Sequence, residues 1–389
     1  MLVHRAAEET IRKLASGYPV VAIVGPRQSG KTTLARAVFQ EKPYVSLEDP
    51  DQREFADEDP RGFLERYPDG AVLDEIQRCA TLLSYIQTRV DKDARKGLFV
   101  LTGSNQFGLM SGVAQSLAGR VAIIVLLPFS LSELQAAGRN PDGLLQMLFS
   151  GLYPPIYDRG LDPGIWYANY VATYIERDVR QMVNVHDLGS FQRFVRLCAA
   201  RTGQLLNMSA LAADCGITHN TAKAWISVLE ASFIIHLLQP YYRNFNKRLV
   251  KTPKLYFYDT GLAAWLLGIQ EYSQLDIHPY KGALFETWVI GELLKSRYNR
   301  GLTSNLSFWR DRSGLEIDIL LEKGGQVFPL EVKSGQTVTR TMFRNLEHFT
   351  RSIVGDVELP WWLVYGGAQY QSRSGGEVVP WMEIGRIIS

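Results

Sequence analysis

The chain opens on MLVHRAAEETIRKL, whose apolar residues recur at helical spacing without forming a solid block, the pattern of an amphipathic helix. Short, unbroken apolar runs follow. Tyr18–Val24 (YPVVAIV), the Ala71–Leu73 stretch inside GAVLDE, Gly97–Thr102 (GLFVLT) and Val121–Leu127 each have the length of a strand buried on both faces. Between them, Thr33–Phe39, Thr81–Val90 and Gln106–Ala118 carry helical spacing. Strands alternating with helices predict an α/β fold whose parallel sheet is covered on both faces.

Beyond Leu127 the pattern changes. Pro128–Phe149 has helix-and-loop composition, Gly151-Leu152-Tyr153-Pro154-Pro155 breaks it, and Trp166–Val183 reads as a long helix with an aromatic stripe. Ser209 caps a short helix, Gly216 forms a turn, and Asn220 or Thr221 opens a second helix reaching Leu229, a helix-turn-helix pattern. Strand Ile234–Gln239, the basic run Lys247-Arg248-Leu249-Val250-Lys251-Thr252-Pro253-Lys254 and strand Leu255–Tyr258 then predict a winged helix. An amphipathic helix, Lys281–Arg297, precedes the strands Leu306–Arg310, Gly314–Leu321 and Gln326–Lys333, the last two joined by the turn Glu322-Lys323-Gly324-Gly325. The expected division is an α/β core over 1–150, a helical lid-like segment over 151–200, a winged helix-turn-helix over 201–278, and a C-terminal α/β domain over 279–389.

At 389 residues, with 46% hydrophobic and 11% aromatic composition, the chain is rich enough for several packed cores and too apolar for a disordered protein. A net charge of +2 excludes a polybasic coat for nucleic acid, so any such surface is local. Cys79, Cys198 and Cys215 are scattered without a CxxC pair, as expected in a reducing cytoplasm, and the six histidines show no metal-ligand spacing. No apolar stretch approaches a membrane span, and the N-terminus does not read as a signal peptide. A cytoplasmic protein with no membrane partner is expected.

The candidate chemistry begins at Gly25-Pro26-Arg27-Gln28-Ser29-Gly30-Lys31-Thr32, followed by Thr33, between the first strand and the next helix. A glycine-rich strand-to-helix turn aims backbone N–H groups and a helix N-terminus at one spot, where Lys31 reaches the β/γ-phosphates of ATP and Thr32 holds Mg2+. The context makes this a Walker A loop. Asp74 at the next strand end is the expected second magnesium ligand, and Glu75 is placed to activate the attacking water. Ser104 or Asn105, after Gly97–Thr102, is the candidate for a sensor between the two Walker strands, with a helix N-cap as the plainer reading. Arg120 is read as an arginine reaching nucleotide in its own or a neighbouring subunit, or as a salt-bridge partner. The pair Arg177-Asp178 is either an exposed ion pair or an arginine offered to a neighbouring nucleotide.

His219, Asn220, Thr221 and Lys223 sit where a recognition helix meets DNA, and Lys247, Arg248 and Lys251 of the wing could neutralise phosphates. The plainer reading is a connector or a protein-docking module. In the C-terminal segment, Glu331 and Lys333 share one strand face, Asp318 on the adjacent strand can join them, and Glu286 comes from the helix. Three carboxylates and a lysine suit Mg2+ or Mn2+, the pattern of PD-(D/E)xK nucleases. The alternatives are a scaffold that binds DNA without cutting and an ordinary salt-bridged hairpin.

These segments together resemble prokaryotic AAA-type ATPases with an uncharacterised, nuclease-like C-terminal end. The resemblance runs through GPRQSGKT, AVLDEIQ, LTGSNQFGLM, SLAGR, YIERDV, GITHNTAKAW, NKRLVKTPKLYFYDTGLA, GALFE and SGLEIDILLE with LEVKSG. It implies an ASCE-type P-loop ATPase using magnesium, with Glu75 as catalytic base and Arg120 and Arg177 at positions the family pattern also shows. A DNA-processing homo-oligomer acting on duplex or branched DNA is the expected function, with metal-dependent cleavage at the C-terminal site as an added expectation. The alternative is a nucleotide-driven signalling switch whose later domains bind proteins.

Overall fold

The computed structural model describes residues 3–93, 95–103, 116–179, 187–241, 251–311, 313–350 and 360–388. The chain forms two compact units. One comprises Met1–Phe129 with Ala231–Phe233 and Lys295–Thr303; the other comprises Ser130–Glu230, Ile234–Leu294 and Ser304–Ser389.

The first unit is built on five strands, β1 (Val20–Val24), β2 (Tyr44–Ser46), β3 (Ala71–Asp74), β4 (Phe99–Gly103) and β5 (Val121–Val125), in the order β2-β3-β4-β1-β5. All neighbours are parallel, as the alternating pattern predicted. Strands β1, β3 and β4 are buried along their length, which is why they read as solid apolar runs. Strand β4 lies between β1 and β3, so the two Walker strands are separated by one intervening strand. Helices Glu8–Gly17 and Lys31–Val38 set Ile11, Leu34 and Val38 against Val21, Ile23, Val72 and Val100 in one apolar cluster.

In the second unit, the expected single helix over Trp166–Val183 differs in its hydrogen bonding. An α-helix over Pro163–Tyr170 widens into a π-helix over Val171–Val179, where the Trp166, Tyr170 and Tyr174 rings crowd together at 4.9 and 5.3 Å between successive centroids. Gly151, φ +64°, allows a close approach nearby: a Cβ there would lie 2.2 Å from the Tyr167 hydroxyl and 2.4 Å from Asp259. Asp259 uses that space to accept from Leu152 N–H, Leu262 N–H and the Tyr167 hydroxyl at 2.8, 2.9 and 2.6 Å.

Helices Leu188–Ala199, Met208–Cys215 and His219–Ala231 are accompanied by a three-stranded sheet of β6 (Gln204–Leu205), β7 (Ile235–Leu238) and β8 (Lys254–Phe257), ordered β6-β8-β7. A six-stranded sheet follows, ordered β13-β14-β12-β11-β10-β9, from β9 (Leu306–Arg310), β10 (Glu316–Lys323), β11 (Gln326–Lys333), β12 (Trp361–Tyr365), β13 (Gln371–Arg373) and β14 (Gly376–Pro380). Trp309, Ile317, Leu320, Leu346, Leu363 and Val378 form its core. The outer edge of β9 is not bare: Phe308 exchanges backbone hydrogen bonds with Gln239 and Tyr241, at 3.1 and 2.8 Å. Among the described residues no helix is long and apolar enough to cross a membrane.

Candidate functional site

Strand β1 delivers the chain to Gly25, whose φ is +151° and whose Cβ would sit 2.1 Å from the Leu126 carbonyl oxygen, so only glycine fits. Gln28 and Gly30 also take positive φ, +67° and +94°, and curl the loop before the helix starts at Lys31. Lys31 is buried, and its ammonium donates to the Gly25 and Pro26 carbonyls at 3.0 and 2.8 Å. Burial pushes its pKa down to about 8, against the opposing pull of Glu75 and Asp74. Ser29 is buried, and its hydroxyl is without a partner. From outside the loop, Arg5 donates to the Ser29 and Leu127 carbonyls, both at 2.7 Å.

The Thr32 hydroxyl donates to both Asp74 oxygens at 3.1 Å, so the two expected magnesium ligands meet beneath the loop. Tyr44 on β2 donates to Asp74 at 2.7 Å, and Thr102 on β4 donates to it as well; the sequence reading missed both. Burial, with Asp74 beside it, pushes the Tyr44 hydroxyl far above its ordinary pKa, so it remains a donor. Glu75 follows in the left-handed region at φ +55°, where its carboxylate accepts from the Gln77 amide. A non-glycine residue held at positive φ is costly and is commonly met at functional sites. Arg27 lies 3.5 Å from Glu48, at the rim. A loop lysine on carbonyls, an orphaned serine hydroxyl and a threonine–aspartate pair fit a nucleoside triphosphate with Mg2+.

The sensor candidates Ser104 and Asn105 lie outside the described residues. So do the side chains of Arg177 and Asp178. Arg120 requires a correction to the expectation that it reaches nucleotide in its own subunit. It immediately precedes β5, and its carbonyl accepts from Val20 N–H at the start of β1, at the end of the sheet opposite Gly25. Five strand residues separate the two ends, about 16 Å at ~3.3 Å each. Its guanidinium instead makes a two-pronged pair with Asp91.

In the helix pair, the Thr218 hydroxyl accepts from Thr221 N–H at 3.1 Å at the start of His219–Ala231. Asn220 and Lys223 are exposed, Thr221 is half-buried, and Lys251 is exposed. Lys247 and Arg248 lie outside the described residues.

Of the four residues expected to converge, the structure brings Asp318, Glu331 and Lys333 together, whereas Glu286, on its helix, is held by Lys254 and Tyr256. Ile319 pairs with Leu330, placing Asp318 and Glu331 next to each other across the β10–β11 hairpin. Asp318 accepts from Val332 N–H and Lys333 at 2.9 and 3.3 Å, and Lys333 also donates to Glu331. Glu331 is 1% exposed, and its second oxygen is buried without a partner. The expected metal shell of Glu286, Asp318 and Glu331 is not what forms. Lys254 on β8, read from sequence as part of an exposed basic run, is paired with Glu286 at 3.2 Å and with Glu316. Arg310 takes the other Glu316 oxygen at 3.0 Å, and the Tyr256 hydroxyl donates to Glu286.

Burial raises the Glu286 and Glu331 pKa values, assisted by the neighbouring Asp318 charge. Burial also opposes the charge on Lys254 and Lys333, but the carboxylates more than offset it and raise both. Among the described residues no group of three or more His, Cys, Asp or Glu is arranged to hold a metal ion. Strand alternation already puts Lys254 and Tyr256 on one face of β8; the cue was present, but the basic composition of the run obscured it.

Residues 17–135 match the family model described as an AAA domain. Residues 141–273 and 281–384 match two models of domains of unknown function. Over 365 residues the chain is 28% identical to "Uncharacterized protein Rv2008c" of Mycobacterium tuberculosis, spanning 92% of this chain and 79% of that one. "Uncharacterized protein Mb2031c" of Mycobacterium bovis matches to the same extent, 28% over 365 residues. Among solved structures, a Walker-type ATPase of Pyrococcus abyssi is similar at TM-score 0.37 and 15% identity, over 68% of this chain and 96% of that one. The Thermotoga maritima RuvB Holliday junction branch migration motor is similar at TM-score 0.31 and 18% identity, over 59% and 88%.

Proposed function

Starting from an N-terminal P-loop ATPase domain of the AAA type, we propose that the chain is a Mg2+-dependent ATPase that couples ATP turnover to binding and remodelling of DNA. The observation that carries the hydrolytic part is the meeting of Thr32 and Asp74 at 3.1 Å, with Glu75 next along the chain. Lys31, freed from the Gly25 and Pro26 carbonyls, engages the β/γ-phosphates, and the loop N–H groups hold the rest of the chain of phosphates. Bound Mg2+ supplies charge neutralisation on the phosphate oxygens. Glu75 orients the attacking water and accepts its proton. An arginine completing the site, Arg120 or Arg177, comes from a neighbouring subunit of a homo-oligomer in this reading.

The DNA part is supported by the order of elements from Leu188 to Phe257, three helices and a β6-β8-β7 sheet, which we read as a winged helix. Asn220, Thr221 and Lys223 at the start of the second helix of the pair, with Lys247, Arg248 and Lys251 between β7 and β8, form the proposed DNA-facing surface. ATP turnover measured with and without single-stranded, duplex and junction DNA over a salt series tests this. Stimulation should fade as salt rises, and neutralising Lys247, Arg248 and Lys251 should flatten that dependence by roughly one unit of slope for each phosphate left without its cation. Turnover indifferent to DNA at every salt concentration rejects the DNA reading. The alternative is then a switch whose later segments dock proteins, an alternative favoured by acids that are already neutralised by lysines.

A further inference from the structure

Strand β8 belongs to the three-stranded sheet, yet its first side chain ends among the carboxylates of the C-terminal sheet. Lys254 is 2% exposed. Its ammonium lies 3.2 Å from Glu286, pairs with Glu316, and sits 5.4 Å from the centre of the Phe308 ring. Tyr256, two residues on and on the same strand face, donates to the same Glu286 oxygen that Lys254 engages. Lys333 serves Asp318 and Glu331 on the other side, and Arg310 serves Glu316 from the rim. Every carboxylate of the cluster therefore has a tethered cation.

We infer that Lys254 is the resident cation of this cluster, standing where the nuclease pattern would place a divalent ion, so that the native chain does not bind a metal there. A tethered ammonium surrounded by anions is hard to displace. A magnesium ion would have to shed water and also leave the lysine buried and unpaired. The consequence is positional: Lys254 fixes Glu286 on helix Lys281–Asn299 and Glu316 on β10 against β8, and the acids act as a clamp. Without Lys254, Glu286 and Glu316 lose the ammonium they share, and Asp318, whose charge also acts on Glu286, adds to the uncompensated negative charge.

The test uses the full chain without nucleotide and Mn2+ alone as the probe, read by thermal melting and by loss of the free-Mn2+ resonance signal. The ATP site is common to every variant, so differences report the C-terminal cluster. Wild type and Lys254→Arg should show the same Mn2+ uptake, unaffected by Asp318→Asn. Lys254→Met should take up an additional equivalent and gain about 2–4 °C in Tm with Mn2+. Because that variant removes the ammonium shared by Glu286 and Glu316, Lys254→Met/Glu316→Gln, with one charge fewer, is run beside it and should show the same gain; folding only in the presence of Mn2+ also supports the inference. Mn2+ uptake by the wild type that Asp318→Asn removes, or folded Lys254→Met variants that take up no additional Mn2+, would overturn it.

Discussion

Asp74 is the most heavily committed side chain of the nucleotide site, accepting from Thr32, Tyr44 and Thr102. Glu75 beside it has a backbone held at φ +55° and accepts from the Gln77 amide. The three donors hold Asp74 in the position proposed for a magnesium ligand, and the proposed base is its neighbour Glu75. Glu75→Gln, isosteric, should bind ATP as wild type does and hydrolyse it at least about 100-fold more slowly, measured by equilibrium binding and single turnover. Lys31 makes a pH-dependent prediction. Its folded pKa of about 8 lies below the unfolded value of 10.5, so the unfolded chain holds more protons between those limits. Burial of Lys31 therefore destabilises the nucleotide-free protein fully below pH 8, and its contribution improves as pH rises toward 10.5. Polyphosphate reverses the shift, so ATP binding near pH 9 should take up a proton. Calorimetry in two buffers of different ionisation enthalpy reads that uptake, and Lys31→Met should abolish it.

Among the elements, the P-loop is set by its two ends: Gly25 passes against Leu126 on one side, and Arg5 ties Ser29 to Leu127 on the other. Arg5 lies before the first helix, and the sequence reading gave it no role. Replacing its planar fork with Lys should leave one carbonyl unsatisfied, at about 1–3 kcal/mol, and loosen the loop. Arg5→Lys should thus lower Tm and weaken ATP binding while leaving single-turnover hydrolysis nearly unchanged. What was legible in the sequence follows the same division. The loop, the Asp74–Glu75 pair and the Glu331–Lys333 face are local patterns, so spacing and parity reveal them. Tyr44 and Thr102 act through strand neighbours, and only the order β2-β3-β4 brings their hydroxyls to Asp74. For Arg120 the salt-bridge reading is the one the structure shows, and the reach to its own nucleotide fails because a residue before a parallel strand lies at the end away from the loop that follows its neighbour.

At the scale of the molecule, the α/β class and parallel sheet were legible because buried strands write themselves as apolar runs, whereas the partners of Lys254 lie 32 residues and more further along the chain and leave no periodic mark. That long reach bears on how the chain can be divided experimentally. The match to the C-terminal family model starts at residue 281, but two supports of that sheet lie earlier: Lys254 among its acids, and Gln239 and Tyr241 along the edge of β9. A fragment beginning at Lys281 would therefore leave Glu286 without its lysine, take one of two cations from Glu316, and carry an open strand edge, separate routes to poor folding and self-association. A fragment beginning at Ser130, where the second unit begins, retains both supports and the Leu152 and Tyr167 partners of Asp259. The longer piece should melt cooperatively and remain monodisperse by light scattering, while the shorter one should aggregate at neutral pH. The boundary of sequence similarity and the boundary of autonomous folding are then different places on this chain, and recombining C-terminal segments between relatives should succeed only when the strand bearing Lys254 travels with them.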